Sequence, residues 1–123
     1  MKVLENIRNK KIVILDGAMG TYLEKTGFKG ITPEIANIES PEIVEKIHFE
    51  YCDKGAEIIL TNTFGANRKI LFKKKLENKF EEIIEKGVMA CLKVKEKYKN
   101  ILIAGDIGPT GELLEPYGTL RIK

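Results

Sequence analysis

Three short aliphatic runs, each closed by small polar residues, limit the folds open to this chain. They are Ile12-Val13-Ile14-Leu15 before Asp16-Gly17, Ile58-Ile59-Leu60 before Thr61-Asn62, and Ile101-Leu102-Ile103-Ala104 before Gly105-Asp106. A parallel strand covered on both faces reads as a continuous apolar stretch, whereas a half-exposed strand alternates. Folds built from such strands hold their ligands at the strands' carboxyl ends. Asp16 and Asp106, two of only three aspartates against fifteen glutamates, stand at those ends. The short acid is concentrated on one rim of the expected sheet.

Between the runs lie two helical stretches. Ser40-Pro41-Glu42 carries a hydroxyl at the N-cap, proline in the first turn and an acid near the positive end. The predicted helix runs to about Lys54, with Gly55 as its left-handed stop and Ile43, Val44, Ile47 and Tyr51 as its buried stripe. The second stretch has a short helix over about 66–75 and a longer one from Asn78. Glu81 stands there as a capping-box partner, and a Glu82–Lys86 pair is expected on the outer side. Phe80, Ile84, Gly87, Cys91, Val94 and Tyr98 share one face of the longer helix. Gly87 lowers helix propensity by about 1 kcal/mol relative to alanine, so a close approach to the sheet is its expected reason. Residues 17–38 read as a glycine turn, a short amphipathic piece over 21–25 and a loop; the residues after Asp106 read as loop.

The expectation is therefore α/β: a parallel βαβαβ arrangement of about three strands with two aliphatic edges. Uncovered edges template aggregation, and no third covering helix follows the last strand, so the chain reads as an interrupted domain.

Composition removes several classes of function. At 123 residues with 43% hydrophobic and 32% charged residues, the chain suits one globular domain. A net charge of +3, from 21 basic and 18 acidic residues, is too balanced to argue for nucleic acid. No run approaches the roughly 18 apolar residues of a membrane span, and no secretory leader is visible, so a cytoplasmic location is expected. Cys52 and Cys91 form neither a CxxC pair nor a zinc knuckle and read as small core residues.

Each strand-end motif admits a ligand reading and a structural one. Asp16-Gly17-Ala18-Met19-Gly20-Thr21 could pair a carboxylate with a substrate ammonium and offer backbone N–H groups to an anion; equally, it could be a capped tight turn. Thr61-Asn62-Thr63-Phe64-Gly65 could orient a polar ligand against Phe64, or form a polar loop whose aromatic joins the core. Gly105-Asp106-Ile107-Gly108-Pro109-Thr110-Gly111 fits neither GxGxxG nor a Walker A loop, which argues against a nucleotide. His48, the only histidine, lies beside Val44 and Cys52 and reads as a packed residue. Lys73-Lys74-Lys75, with acids close by, reads as a solvated face.

Read together, these motifs resemble one family. Leu15 to Thr21, Pro33-Glu34 with Asn37, Ser40-Pro41-Glu42 leading to Ile47-His48, Gly55 to Ile59, Thr61 to Ala66 and Gly105 to Gly111 occur in the order found in the amino-terminal part of a homocysteine-binding module. Cobalamin-dependent methionine synthase, betaine–homocysteine and S-methylmethionine–homocysteine methyltransferases share that module. The resemblance implies a (β/α)8 TIM barrel, incomplete in this chain, that holds homocysteine and one zinc ion at its strand ends. It implies zinc-bound homocysteine thiolate as the nucleophile, with methylcobalamin and methyltetrahydrofolate as a possible donor system. By the same resemblance, Asp16, Gly17 and Ala18 hold the amino-acid end of homocysteine, and Asn62, Phe64 and Asp106 line the same mouth.

The family's zinc-binding cysteines lie in GxNC and GGCCG motifs, and neither occurs here. No metal ligand and no catalytic residue is thus expected within residues 1–123. The reading is of an N-terminal piece of a homocysteine S-methyltransferase domain, inactive alone. The alternative is a non-enzymatic module whose open edges pair with the remainder of a barrel or with another copy of the chain.

Overall fold

A computed structural model describes residues 2–122. Helix α1 (Lys2–Arg8) precedes the first aliphatic run. It is followed by α2 (Gly20–Lys25), a 3-10 turn (Pro33–Ile35) continuing into α3 (Ala36–Glu39), α4 (Pro41–Asp53) and strand β1 (Ile58–Leu60). Then come α5 (Arg68–Lys73), a 3-10 turn (Glu77–Lys79), α6 (Phe80–Lys97) and strand β2 (Leu102–Ala104).

β1 and β2 are parallel and in register from Ile58 opposite Leu102 to Leu60 opposite Ala104. On the other side of β1, the first aliphatic run lies parallel but forms only one bridge, Leu15 to Ile58. The expected first strand is thus corrected to a single pairing. Its physical cause is local: Ile14 O accepts both Glu57 N–H and Ile58 N–H, while Ile14 N–H donates to the Glu57 carboxylate at 3.0 Å. A side chain takes the donor that a longer ladder would need. Nor is the run buried, since Ile12 is 92% and Leu15 53% exposed.

The helices fulfil most of their expected roles. α4 ends at Asp53 with Lys54 as its C-cap, and Gly55 adopts φ +103°. Val44 and Ile47 are fully buried, with Ile43 and Tyr51 partly so. Ser40 holds the N-cap position of α4 without a side-chain cap, and α6 lacks the expected Asn78–Glu81 box because a 3-10 turn occupies 77–79. Glu82 meets Lys79 at 3.4 Å and not Lys86. Residues 33–39, expected as loop, are helical.

The core lies where helices cover the strands. Cys52, Ala56, Ile59, Cys91, Val94 and Ile101 form the cluster between α4, α6 and the sheet. Leu23, Ala36, Val44, Ile47 and Ala90 join α2, α3, α4 and α6, while Ile35, Ala66, Leu71 and Ile83 close the α5 end. Full burial of each large aliphatic contributes about 1.5–3 kcal/mol. Both cysteines are buried and unpaired in that core. Among the described residues no helix is long and apolar enough to cross a membrane.

Candidate functional site

The parallel arrangement puts all three run ends on one side, and a cavity of about 450 Å³ opens there. Asp16, Gly17, Ala18, Asn62, Phe64 and Asp106, the six residues singled out in the sequence, all line it. Glu34 and the backbone around Leu60 and Thr61 complete the wall.

Asp16 is fixed by the sheet. Its N–H donates to Ile58 O at 2.9 Å, and its Oδ2 accepts Leu60 N–H at 3.0 Å. Oδ1 makes no hydrogen bond with the described residues. Burial pushes the Asp16 carboxyl above its ordinary 3.8, the Leu60 N–H opposes that, and the negative charge of Asp106 adds to it. Asp106 is likewise raised, by burial first and then by Glu34.

The turn after Asp16 is held from behind. Tyr51 donates its hydroxyl to Ala18 O at 2.7 Å, and a Cβ on Gly17 would lie 2.9 Å from that hydroxyl oxygen. Glycine is therefore required for the tyrosine's close approach. Among the described residues, the N–H groups of Gly17, Ala18 and Met19 donate to no protein acceptor. They remain available to an anionic group.

The second strand end interlocks with the third. Asp106 N–H donates to Thr61 Oγ1 at 3.0 Å, Thr63 Oγ1 donates to Asp106 O at 2.8 Å, and Gly108 N–H donates to Phe64 O at 3.1 Å. On the opposite side, the buried Glu34 carboxylate accepts Gly65 N–H at 2.7 Å and the Thr32 hydroxyl. Phe64 is pinned at its backbone while its ring, 55% exposed, stands at the cavity mouth as an apolar wall. It does not enter the core.

Two groups that build this site were noted in the sequence only as part of the family resemblance and were not placed at the site. Glu34 clamps the 61–65 turn, and Asn37, fully buried on α3, bonds directly to Asn62. Both belong to the stretch read as loop. His48 lies outside the cavity, fully buried, with Nε2 3.5 Å from Cys91 Sγ. It is a packed residue, as its position beside Val44 suggested.

The lining has three carboxylates, an asparagine, an aromatic and no Lys, Arg or His. Such a site can bind a cationic group at its acids while free backbone N–H groups take an anion close by, which is the charge pattern of a zwitterion. Among the described residues, no group of three or more His, Cys, Asp or Glu side chains is placed to hold a metal ion. Cys52 and Cys91 face the core, where burial pushes their thiols up to about 11 and about 12. Neither is suited to act as a thiolate ligand.

Parallel strands with acids and glycine turns at their carboxyl ends define an α/β protein with a polar, acid-lined cavity at the sheet's rim. A family profile described as Homocysteine S-methyltransferase matches residues 13–122. The chain belongs to that family. It is 28% identical over 121 residues to methionine synthase from Mycobacterium tuberculosis, covering 89% of this chain and 10% of that protein. It is 30% identical over 114 residues to homocysteine S-methyltransferase from Escherichia coli, covering 84% and 37%. The crystal structure of the homocysteine methyltransferase MmuM from Escherichia coli, metallated form, superposes with a TM-score of 0.74 at 28% identity, over 88% of this chain and 42% of that one. The chain thus spans between a tenth and about two fifths of the length of these relatives.

Proposed function

We propose that this chain supplies part of the homocysteine pocket of a methyltransferase that converts homocysteine to methionine. The observation that carries the reading is the convergence of Asp16, Asn62, Phe64 and Asp106 from separate strand ends on one cavity. In this reading Asp16 and Asp106 face the substrate ammonium, the Gly17 and Ala18 N–H groups receive its carboxylate, and Phe64 packs along its aliphatic stem. The reaction joins the homocysteine sulfur to a methyl carbon, breaks that carbon's bond to its donor and releases the thiol proton. The residues described here bind and orient the amino-acid end, and none of them is placed to activate sulfur.

In this reading the chain is the N-terminal part of a larger (β/α)8 barrel, in keeping with its covering 42% of MmuM. Zinc, and a cobalamin or folate donor system, belong in this reading to the complete parent; the described residues do not group to fit a zinc site. Two buried unpaired thiols suit a reducing, cytoplasmic setting.

Calorimetric titration of the 123-residue chain with L-homocysteine tests the pocket. Saturable binding that Asp16→Asn weakens is expected, with neither turnover nor stoichiometric zinc. Full binding by Asp16→Asn would remove the reading, and turnover or bound zinc would show that the chemistry lies within this chain.

A second reading, a module that pairs its open edges, is favoured by the exposure of Ile12 and Ile107, 92% and 93%. Mass measurement in solution separates the two, because a monomer at high concentration removes self-pairing.

A further inference from the structure

We propose that Asn37 is a positioning residue for the pocket: it fixes the Asn62 carboxamide so that its oxygen faces the cavity and accepts from the ligand's ammonium group. The proposal rests on the homocysteine-pocket reading given above.

The orientation follows from three backbone carbonyls, which can only accept. Asn37 Nδ2 lies 2.8 Å from Asn62 O and 3.0 Å from Ile83 O, so the end of the Asn37 amide that faces them must be the nitrogen. Its oxygen is then the atom presented to Asn62, 2.9 Å from that side chain's Nδ2. Asn62 Nδ2 also lies 2.9 Å from Pro33 O, so both of its hydrogens are committed. A flip of either amide would set oxygen against oxygen at two places. Asn62 Oδ1 is left without a partner among the described residues. It is not enclosed either, since the only sealed, unpartnered side-chain polar atom among them is His48 Nδ1. Asn62 is 5% exposed and lines the cavity, so its free oxygen reaches the cavity.

Without Asn37, the Asn62 amide could rotate and offer N–H donors beside Asp16 and Asp106. Such a rotated amide would favour an anion at the acidic side of the cavity, where Asp16 and Asp106 stand. α6 makes room for the arrangement at one residue. A Cβ on Gly87 would lie 2.8 Å from Asn37 Nδ2 and 3.1 Å from Thr63 Cγ2. The glycine expected to approach the sheet thus lies against the turn after β1, at Thr63, and accommodates Asn37 as well.

The test uses the full chain, the variants Asn37→Leu and Gly87→Ala, and two ligands, L-homocysteine and its desamino analogue 4-mercaptobutanoate. Asn62 side-chain amide protons, followed by NMR, should exchange slowly in the wild type and faster in both variants. Losing a hydrogen bond to a charged group should weaken L-homocysteine about tenfold in Asn37→Leu and leave 4-mercaptobutanoate within about twofold. A general loosening would weaken both ligands alike, and that result overturns the proposal. Rapid exchange of the Asn62 amide in the wild type overturns it as well. If the wild type takes up neither ligand, the pocket reading falls, while amide exchange still decides whether Asn37 fixes Asn62. Should Asn37→Leu fail to fold, Gly87→Ala carries the same comparisons from the α6 side.

Discussion

Replacing His48 with methionine should make the chain resist acid. The imidazole on α4 has no exposed surface, its Nδ1 has no partner, and burial pushes its pKa from 6.5 down to about 4. In the unfolded chain the ring titrates near its ordinary value. Between these two values the unfolded state holds a proton that the native state refuses, so acidification favours unfolding. A gap of about 2.5 pH units at 1.36 kcal/mol each gives about 3 kcal/mol of stability lost by pH 4. Cys91, whose thiol is pushed up to about 12, stays neutral throughout and contributes no charge. Asp16 and Asp106 act in the opposite sense, because their raised pKa values let the native state take up protons first as pH falls. They are present in both proteins and cancel in the difference. Urea unfolding followed by far-UV circular dichroism at several pH values gives the stability of each. Variant minus wild type should be constant above pH 7 and climb by about 3 kcal/mol toward pH 4. A flat difference would refute the reasoning, since the native imidazole would then accept its proton as readily as the unfolded one.

Ile59, fully buried at the centre of β1, should cost about 2–5 kcal/mol when cut to alanine, read by the same unfolding assay. A loss below about 1 kcal/mol would place the strand outside the cooperative core. Cys52 and Cys91, buried and with raised thiol pKa values, should react with a disulfide reagent at pH 8 only as fast as the chain opens. A rapid burst under native conditions would contradict their burial. L-Homocysteine should bind more weakly as pH falls through the raised pKa values of Asp16 and Asp106, because protonation removes the charges that face the ammonium. Titration calorimetry across that range checks the sign, and tighter binding in acid would exclude those carboxylates from ammonium recognition.

The fold was legible where a pattern reflects burial and illegible where a single bond decides. β1 was placed correctly because Ile58-Ile59-Leu60 is covered by helices on one side and flanked by two segments. The equally aliphatic Ile12–Leu15 run gave the same signal, yet it pairs only once because the Glu57 side chain takes the Ile14 N–H. Hydrophobicity carries no information about that bond. The stripe on α6 was found at Cys91 and Val94 but missed Ile83 and Ala90, since the helix packs against α4 and α3 as well as the sheet and buries a wider arc. Residues 33–39 were read as loop because neither the short 3-10 turn nor the one-turn helix is long enough to show a period.

The site was legible at its rim and hidden in its support. Asp16, Asn62 and Asp106 announce themselves as small polar residues that end apolar runs, and parallel strands necessarily bring such ends together. Glu34 and Asn37 entered only as part of the family resemblance, with no role assigned, because their roles lie in partners 25 or more residues distant. Their place also explains a charge distribution that would otherwise count against the pocket. Asp16, Glu34 and Asp106 share one cavity with no basic side chain in its wall. Glu34 accepts Gly65 N–H and the Thr32 hydroxyl yet still disfavours the charge on Asp106, as Asp106 in turn disfavours that on Asp16. That repulsion and the burial of both acids disfavour their charged forms in the empty site, and a bound cation would relieve both. Asp16 also has a structural role, since its Oδ2 accepts Leu60 N–H, but no basic side chain in the wall offsets the charge that burial penalises, and in such an environment a bound ammonium group would gain most.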